Sequence, residues 1–109
     1  MKTLKPVHSF LKAWQPRLLL ADWHIRVVDS RAEASSSTIA HITFELSEKE
    51  AILYCYPMLF GENRIDRTRT LLHELVHLVV TELEVKLLAD AMEERLCDRF
   101  AKILQELGG

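Results

Sequence analysis

Residues 68 to 107 contain neither glycine nor proline, the two residues that most readily stop a helix. Apolar residues recur through them at helical spacing, so the C-terminal part of this 109-residue chain is expected to be helical. Quieter signals divide it. Val79, Val80 and Thr81 are β-branched and weaken a helix end, and D-A-M-E at 90–93 matches a capping box. Together they predict a break between Thr81 and Asp90. The second helix would then carry Leu96, Cys97, Phe100, Ile103, Leu104 and Leu107 on one core-facing stripe and stop at Gly108.

The first part of the chain reads differently. Val7, Phe10, Leu11 and Trp14 recur at helical spacing, which predicts an amphipathic helix over residues 4–15 that Pro16 ends or kinks. W-H-I-R-V-V-D (23–29) then alternates apolar and polar residues as a half-buried strand does. R-A-E-A-S-S-S-T (31–38) is the one linker-like run and reads as a loop. T-I-A-H-I-T-F-E-L alternates again, S-E-K-E supplies a polar turn, and A-I-L-Y-C-Y comes next, which predicts a hairpin of strands two and three. Pro57 and Gly61 close that element, Asn63 or Asp66 can cap the next helix, and the helical pattern begins at Thr68. The expected fold class is α+β: an N-terminal helix, a small three-stranded sheet, then two helices, in one domain over residues 1–109.

Bulk properties exclude several function classes. A formal charge of −2 offers no broad cationic field for neutralising phosphates, so nucleic acid is not an expected partner. The arginines of N-R-I-D-R-T-R lie among Glu62 and Asp66 and read as a solvated helix start. Lys5, Pro6, Lys12, Pro16 and Arg17 interrupt the apolar residues near the N-terminus, which speaks against a signal segment or membrane span. Cys55 and Cys97 sit far apart among apolar neighbours, as small buried hydrophobes in a reducing compartment do. A cytoplasmic location is expected.

Chemistry is concentrated in T-L-L-H-E-L-V-H-L-V-V (70–80). On a helix, His73 and His77 lie one turn apart on the same face and can converge on one ion about 2 Å from each nitrogen. Glu74 is rotated by about 100° from His73, outside the first coordination sphere but able to reach a water on the same metal. Zinc lowers the pKa of such a water from 15.7 to about 7 and polarises a carbonyl. With five His and eleven Glu, a shuffled chain of this composition contains H-E-x-x-H in roughly 2 of 100 trials. Leu71, Leu72, Leu75, Val76, Leu78, Val79 and Val80 make the helix apolar nearly all round, so it is expected to be buried, with its polar residues partnered. The bland counterpart is a metal-free core helix whose histidines bond to backbone and whose glutamate pairs with an arginine.

Catalytic zinc usually takes three protein ligands and leaves a fourth place to water. No histidine comes after His77, and Glu82 and Glu84 are too near it along the chain to fold back. The choice falls on residues 90–98. If Asp90 caps the second helix, Glu93 can reach back to the cap, which leaves Glu94 free for metal; Glu93 stays open as an alternative because it lies nearer the centre of the apolar stripe. Glu94 and Asp98 share a face, so one could bind zinc while the other accepts an imidazole N–H.

The sequence here resembles the zincin superfamily, and within it the gluzincins, whose active helix carries H-E-x-x-H and whose next helix supplies a glutamate in E-x-x-x-D; E-R-L-C-D (94–98) fits that second motif. The resemblance implies His73, His77 and Glu94 as ligands of one zinc ion per chain, Glu74 as catalytic base, and Asp98 as partner of a ligand histidine. The order helix, strands, active helix, ligand helix is similar to that of minimal zincin-like domains, including ImmA/IrrE-type peptidases. In those folds an edge strand pairs with an extended substrate, and T-I-A-H-I-T-F is the corresponding segment. Val80 and Leu83 stand where the metzincin extension places Gly and His.

The implied function is a zinc metallopeptidase acting on a peptide or protein substrate. The rival is a zincin-fold binding or regulatory module, catalytically weak or inactive, that retains a zinc site. His41, Tyr54 and Tyr56 are candidate electrophiles for the oxyanion, although each is also an ordinary strand residue; His24 and Trp23 read as packing.

Overall fold

A computed structural model describes residues 1–33, 37–93 and 105. The described residues form an α+β arrangement in the order α1 (Lys5–Arg17), β1 (His24–Asp29), β2 (Ala40–Glu45), β3 (Glu50–Cys55), α2 (Pro57–Gly61) and α3 (Arg64–Glu93). The chain divides into two compact units, Met1–Val79 and Val80–Gly109. The first contains α1, the sheet, α2 and the opening turns of α3. Of the second, the later turns of α3 and Gln105 are described.

α1 begins with Pro6 in its first turn, where a missing N–H costs nothing. Its buried residues Val7, Phe10 and Leu11 make one stripe. The helix runs on through Pro16 to Arg17 instead of ending at the proline; in the last turn the ring removes only one backbone bond. The end is closed by Leu19 N–H to Pro16 C=O (3.1 Å) and Leu20 N–H to Gln15 C=O (2.7 Å), with Leu19 in the left-handed region at φ 59°. This is the Schellman closure, with leucine where glycine is the usual choice. The Gln15 amide then donates to the carbonyls of Leu20 (3.1 Å) and Trp23 (3.0 Å), which leads the chain into β1.

The sheet has the order β1-β3-β2, with β1 parallel and β2 antiparallel to the central β3. The expected hairpin is β2–β3, closed over residues 46–49 with Lys49 N–H to Leu46 C=O at 3.1 Å. Lys49 there also pairs with Asp22. The period of two sends Ala40 and Ile42 of β2 and Ala51, Leu53 and Cys55 of β3 to one face. They join Val7, Phe10 and Leu11 of α1, Leu20, Trp23, Leu59 of α2, and Leu71, Leu75 and Leu78 of α3 in a single core. His41, Thr43, Ile52 and Tyr54 alternate onto the other face. Beyond β1, Asp29 receives the Arg31 guanidinium at 2.6 Å, and Arg31 also stacks on the Phe60 ring at 4.3 Å.

Asn63 starts α3: its Oδ1 accepts from Asp66 N–H (2.9 Å) while its amide donates to the Asp66 carboxylate (3.0 Å). Helix thus begins at Arg64, four residues before the apolar periodicity becomes visible, and Pro57 opens a short helix, α2, where the sequence reads as a closing turn.

Two expectations for α3 are corrected. The break expected between Thr81 and Asp90 is absent, for the helix is continuous over its 30 residues. Three β-branched residues cost only a few tenths of a kcal/mol each relative to better helix formers. Without a glycine or proline to remove a backbone bond, that cost does not outweigh helix propagation. Nor is the helix buried all round. Leu71, Leu75 and Leu78 are buried, whereas Val76 and Val80 are nearly half exposed and Leu83 is more than half exposed. Among the described residues no helix is long and apolar enough to cross a membrane.

Candidate metal centre

The H-E-x-x-H residues lie on α3, with His73 and Glu74 beside the start of β2, and the helix presents them in two directions. His73 and His77 face solvent, with ring centroids 4.9 Å apart and ring planes at 90°. Glu74 turns the other way, onto the side of Leu71, Leu75 and Leu78, and is only 9% exposed. The expected burial of the imidazoles is therefore corrected: the buried polar group is the glutamate. Helix geometry separates them, since the 100° step from residue 73 to 74 carries the side chain off the histidine face toward the core.

One ligand atom from each of His73, Glu74 and His77 lies within 4.8 Å of the others. The two imidazoles can thus converge on one ion about 2 Å from each nitrogen, with the Glu74 carboxylate close enough to reach a water on that ion. Two imidazoles are donors that zinc accepts, and the exposed histidine face leaves room for further ligands.

A second observation supports the fit. Among the described residues, no hydrogen bond or ion pair reaches the Glu74 carboxylate. Burying such a group without a partner costs several kcal/mol, a cost that a cation or an ordered water in the adjoining space would offset. That space exists: a cavity of about 370 Å³ is lined by Ile39 and Ala40 at the start of β2 and by Arg69, Thr70, His73 and Glu74 of α3. The Thr70 hydroxyl donates to the Glu62 carboxylate at 3.1 Å.

β2 is an edge strand, with β3 on one side and no strand on the other among the described residues. The segment expected to meet an extended peptide thus runs from the cavity along the sheet edge. None of His41, Tyr54 or Tyr56 lines the cavity. His41 and Tyr54 form a cross-strand pair on the face away from the core.

The third-ligand expectations fare differently. Glu94 and Asp98 lie outside the described residues. Glu93 is the last residue of α3 and belongs to the second unit. Arg69, the last arginine of the N-R-I-D-R-T-R run expected to be a solvated helix start, borders the cavity; its position four residues before His73, on the same helix face, is the signal that marks it.

Cys55 ends β3 as a free, fully buried thiol. Burial, with a smaller contribution from the Asp29 charge, pushes its pKa up to about 11. Such a thiol is not a nucleophile at neutral pH.

Compared with profiles of known protein families, with curated proteins and with solved structures, the chain matches none of them.

Proposed function

We propose that this chain is a small zincin-like metallopeptidase whose zinc is held by His73 and His77 and whose general base is Glu74. The observation that carries this reading is the buried Glu74 carboxylate, without a partner among the described residues, facing a cavity at a sheet edge and within 4.8 Å of both imidazoles. A bound zinc supplies a Lewis acid and makes water acidic enough to lose a proton near neutral pH. Glu74 accepts that proton at a carboxylate oxygen and returns it to the leaving amine. The β2 edge orients an extended peptide by main-chain hydrogen bonds, and Ile39 and Ala40 supply apolar contact beside the cavity.

Glu94, with Glu93 as alternative, is proposed as a further protein ligand, with Asp98 accepting an imidazole N–H. Glu94 and Asp98 lie outside the described residues, and Glu93 lies in the second unit. The proposal therefore stands on the His73–Glu74–His77 group. A second reading, a zinc-holding binding module without hydrolysis, is favoured by the absence of His41, Tyr54 and Tyr56 from the cavity lining.

Glu74→Gln separates the two. It should fold, keep zinc, and lose peptide hydrolysis by about 10²–10⁴-fold; full cleavage by this variant would remove Glu74 as base, and no cleavage by the parent protein favours the binding module. His73→Ala should abolish zinc binding. Zinc affinities of Glu93→Gln and Glu94→Gln show which of the two, if either, is a ligand.

A further inference from the structure

Arg69 stands one helical turn before His73, about 6 Å along α3 at 1.5 Å per residue, and borders the same cavity as His73, Glu74, Ile39 and Ala40. Its side chain is exposed, and no carboxylate among the described residues pairs with it. Glu62 is engaged by the Thr70 hydroxyl and Asp66 by Asn63. The cavity thus combines the His73 imidazole, one buried carboxylate and a guanidinium at its edge, with the His77 imidazole one turn further along α3. A guanidinium presents a planar fork of donors that matches a carboxylate bidentately. Extended peptide rises about 3.4 Å per residue, so a group about 6 Å from His73 and about 12 Å from His77 along the helix meets the side chain or terminus about two to three residues away.

We propose that Arg69 determines specificity by binding a carboxylate of the peptide, from an acidic side chain or a free C-terminus, about two to three residues from the bond presented at His73 and His77. The inference rests on the peptidase reading above and names its substrate class: acidic peptides, or peptides near their C-terminal end. Peptides with a lysine or arginine at that position are disfavoured by like charge.

The test measures binding apart from turnover. Dye-labelled peptides of one sequence, carrying Glu or Gln near the centre and ending in a free or an amidated C-terminus, are titrated by anisotropy against the whole, zinc-loaded Glu74→Gln chain. A carboxylate should tighten binding by about tenfold. Adding Arg69→Ala should bring the ratio of acidic to neutral affinity close to one, and Arg69→Lys should restore part of it. Dependence on the central Glu identifies a side chain as the source; dependence on the free terminus identifies an exopeptidase-like mode. Equal binding of all peptides, or a preference that survives Arg69→Ala, overturns the proposal. So does loss of zinc from Arg69→Ala, which would make the residue a support of the metal site. Cleavage by the parent protein, run in parallel, keeps the two failures apart. Hydrolysis without carboxylate preference sinks only the Arg69 assignment, and preference without any hydrolysis sinks only the peptidase.

Discussion

Glu74 and Cys55 show how burial produces opposite chemistry from two ionisable residues in one core. Glu74 is covered by leucines yet opens onto a cavity beside two imidazoles, where a cation or water can reach it. Cys55 is closed in at the end of β3 with its pKa pushed up to about 11. The native thiol therefore keeps its proton where the unfolded one, near 9, has lost it. For a group whose folded pKa is raised, the unfolded state binds fewer protons between the two values, so stability falls as pH rises from about 9 toward 11, by up to about 2 kcal/mol. Urea melts at pH 7.5 and 10.5 should show this loss, and Cys55→Ala should flatten it. In a Cys97→Ser background, alkylation at pH 8 should wait on unfolding. The motif of residues 73–77 was legible at this scale because a four-residue interval has only one meaning on a helix; which of its residues is buried was not, since seven apolar neighbours surround all three alike.

At the scale of elements, strands one to three and the first helix emerge from periodicity within a residue or two, because alternation and 3.6-residue spacing directly encode which side is buried. The missing break in α3 marks where that signal fails. Periodicity says that a segment is helical, but only a lost backbone bond or a residue with positive φ says where it stops, and residues 79–90 contain neither. α1 illustrates the converse. Its closure demands a left-handed residue, yet Leu19 occupies the place at φ 59° and 84% exposure, so there was no glycine to read there. The left-handed region costs a leucine about 1 kcal/mol, partly offset by the extra freedom glycine has when unfolded. Leu19→Gly should therefore stabilise the protein by about 0.5 kcal/mol, raising Tm by about 2–4 °C; an unchanged or lower Tm would mean that the exposed leucine contributes packing.

For the whole molecule, the sequence supplied the α+β class and the order of elements, but not the lateral order of strands. Placing β3 between β1 and β2 depends on which strand edges meet, and alternation within one strand does not encode that. The site depends on this order, because it leaves β2 at the margin beside α3. It also sets a temporal order. β2 and β3 meet across the short turn at residues 46–49, whereas β1 reaches β3 only after the intervening loop and β2 have been laid down. Closing the longer loop costs more chain entropy before any contact rewards it. The hairpin should therefore be formed in the folding transition state and the parallel pair mostly not. In chevron analysis, Ile42→Val should chiefly slow folding and Val27→Ala should chiefly speed unfolding. A protein built this way loses its first strand first, so its resistance to proteases is governed by how firmly residues 24–29 stay docked.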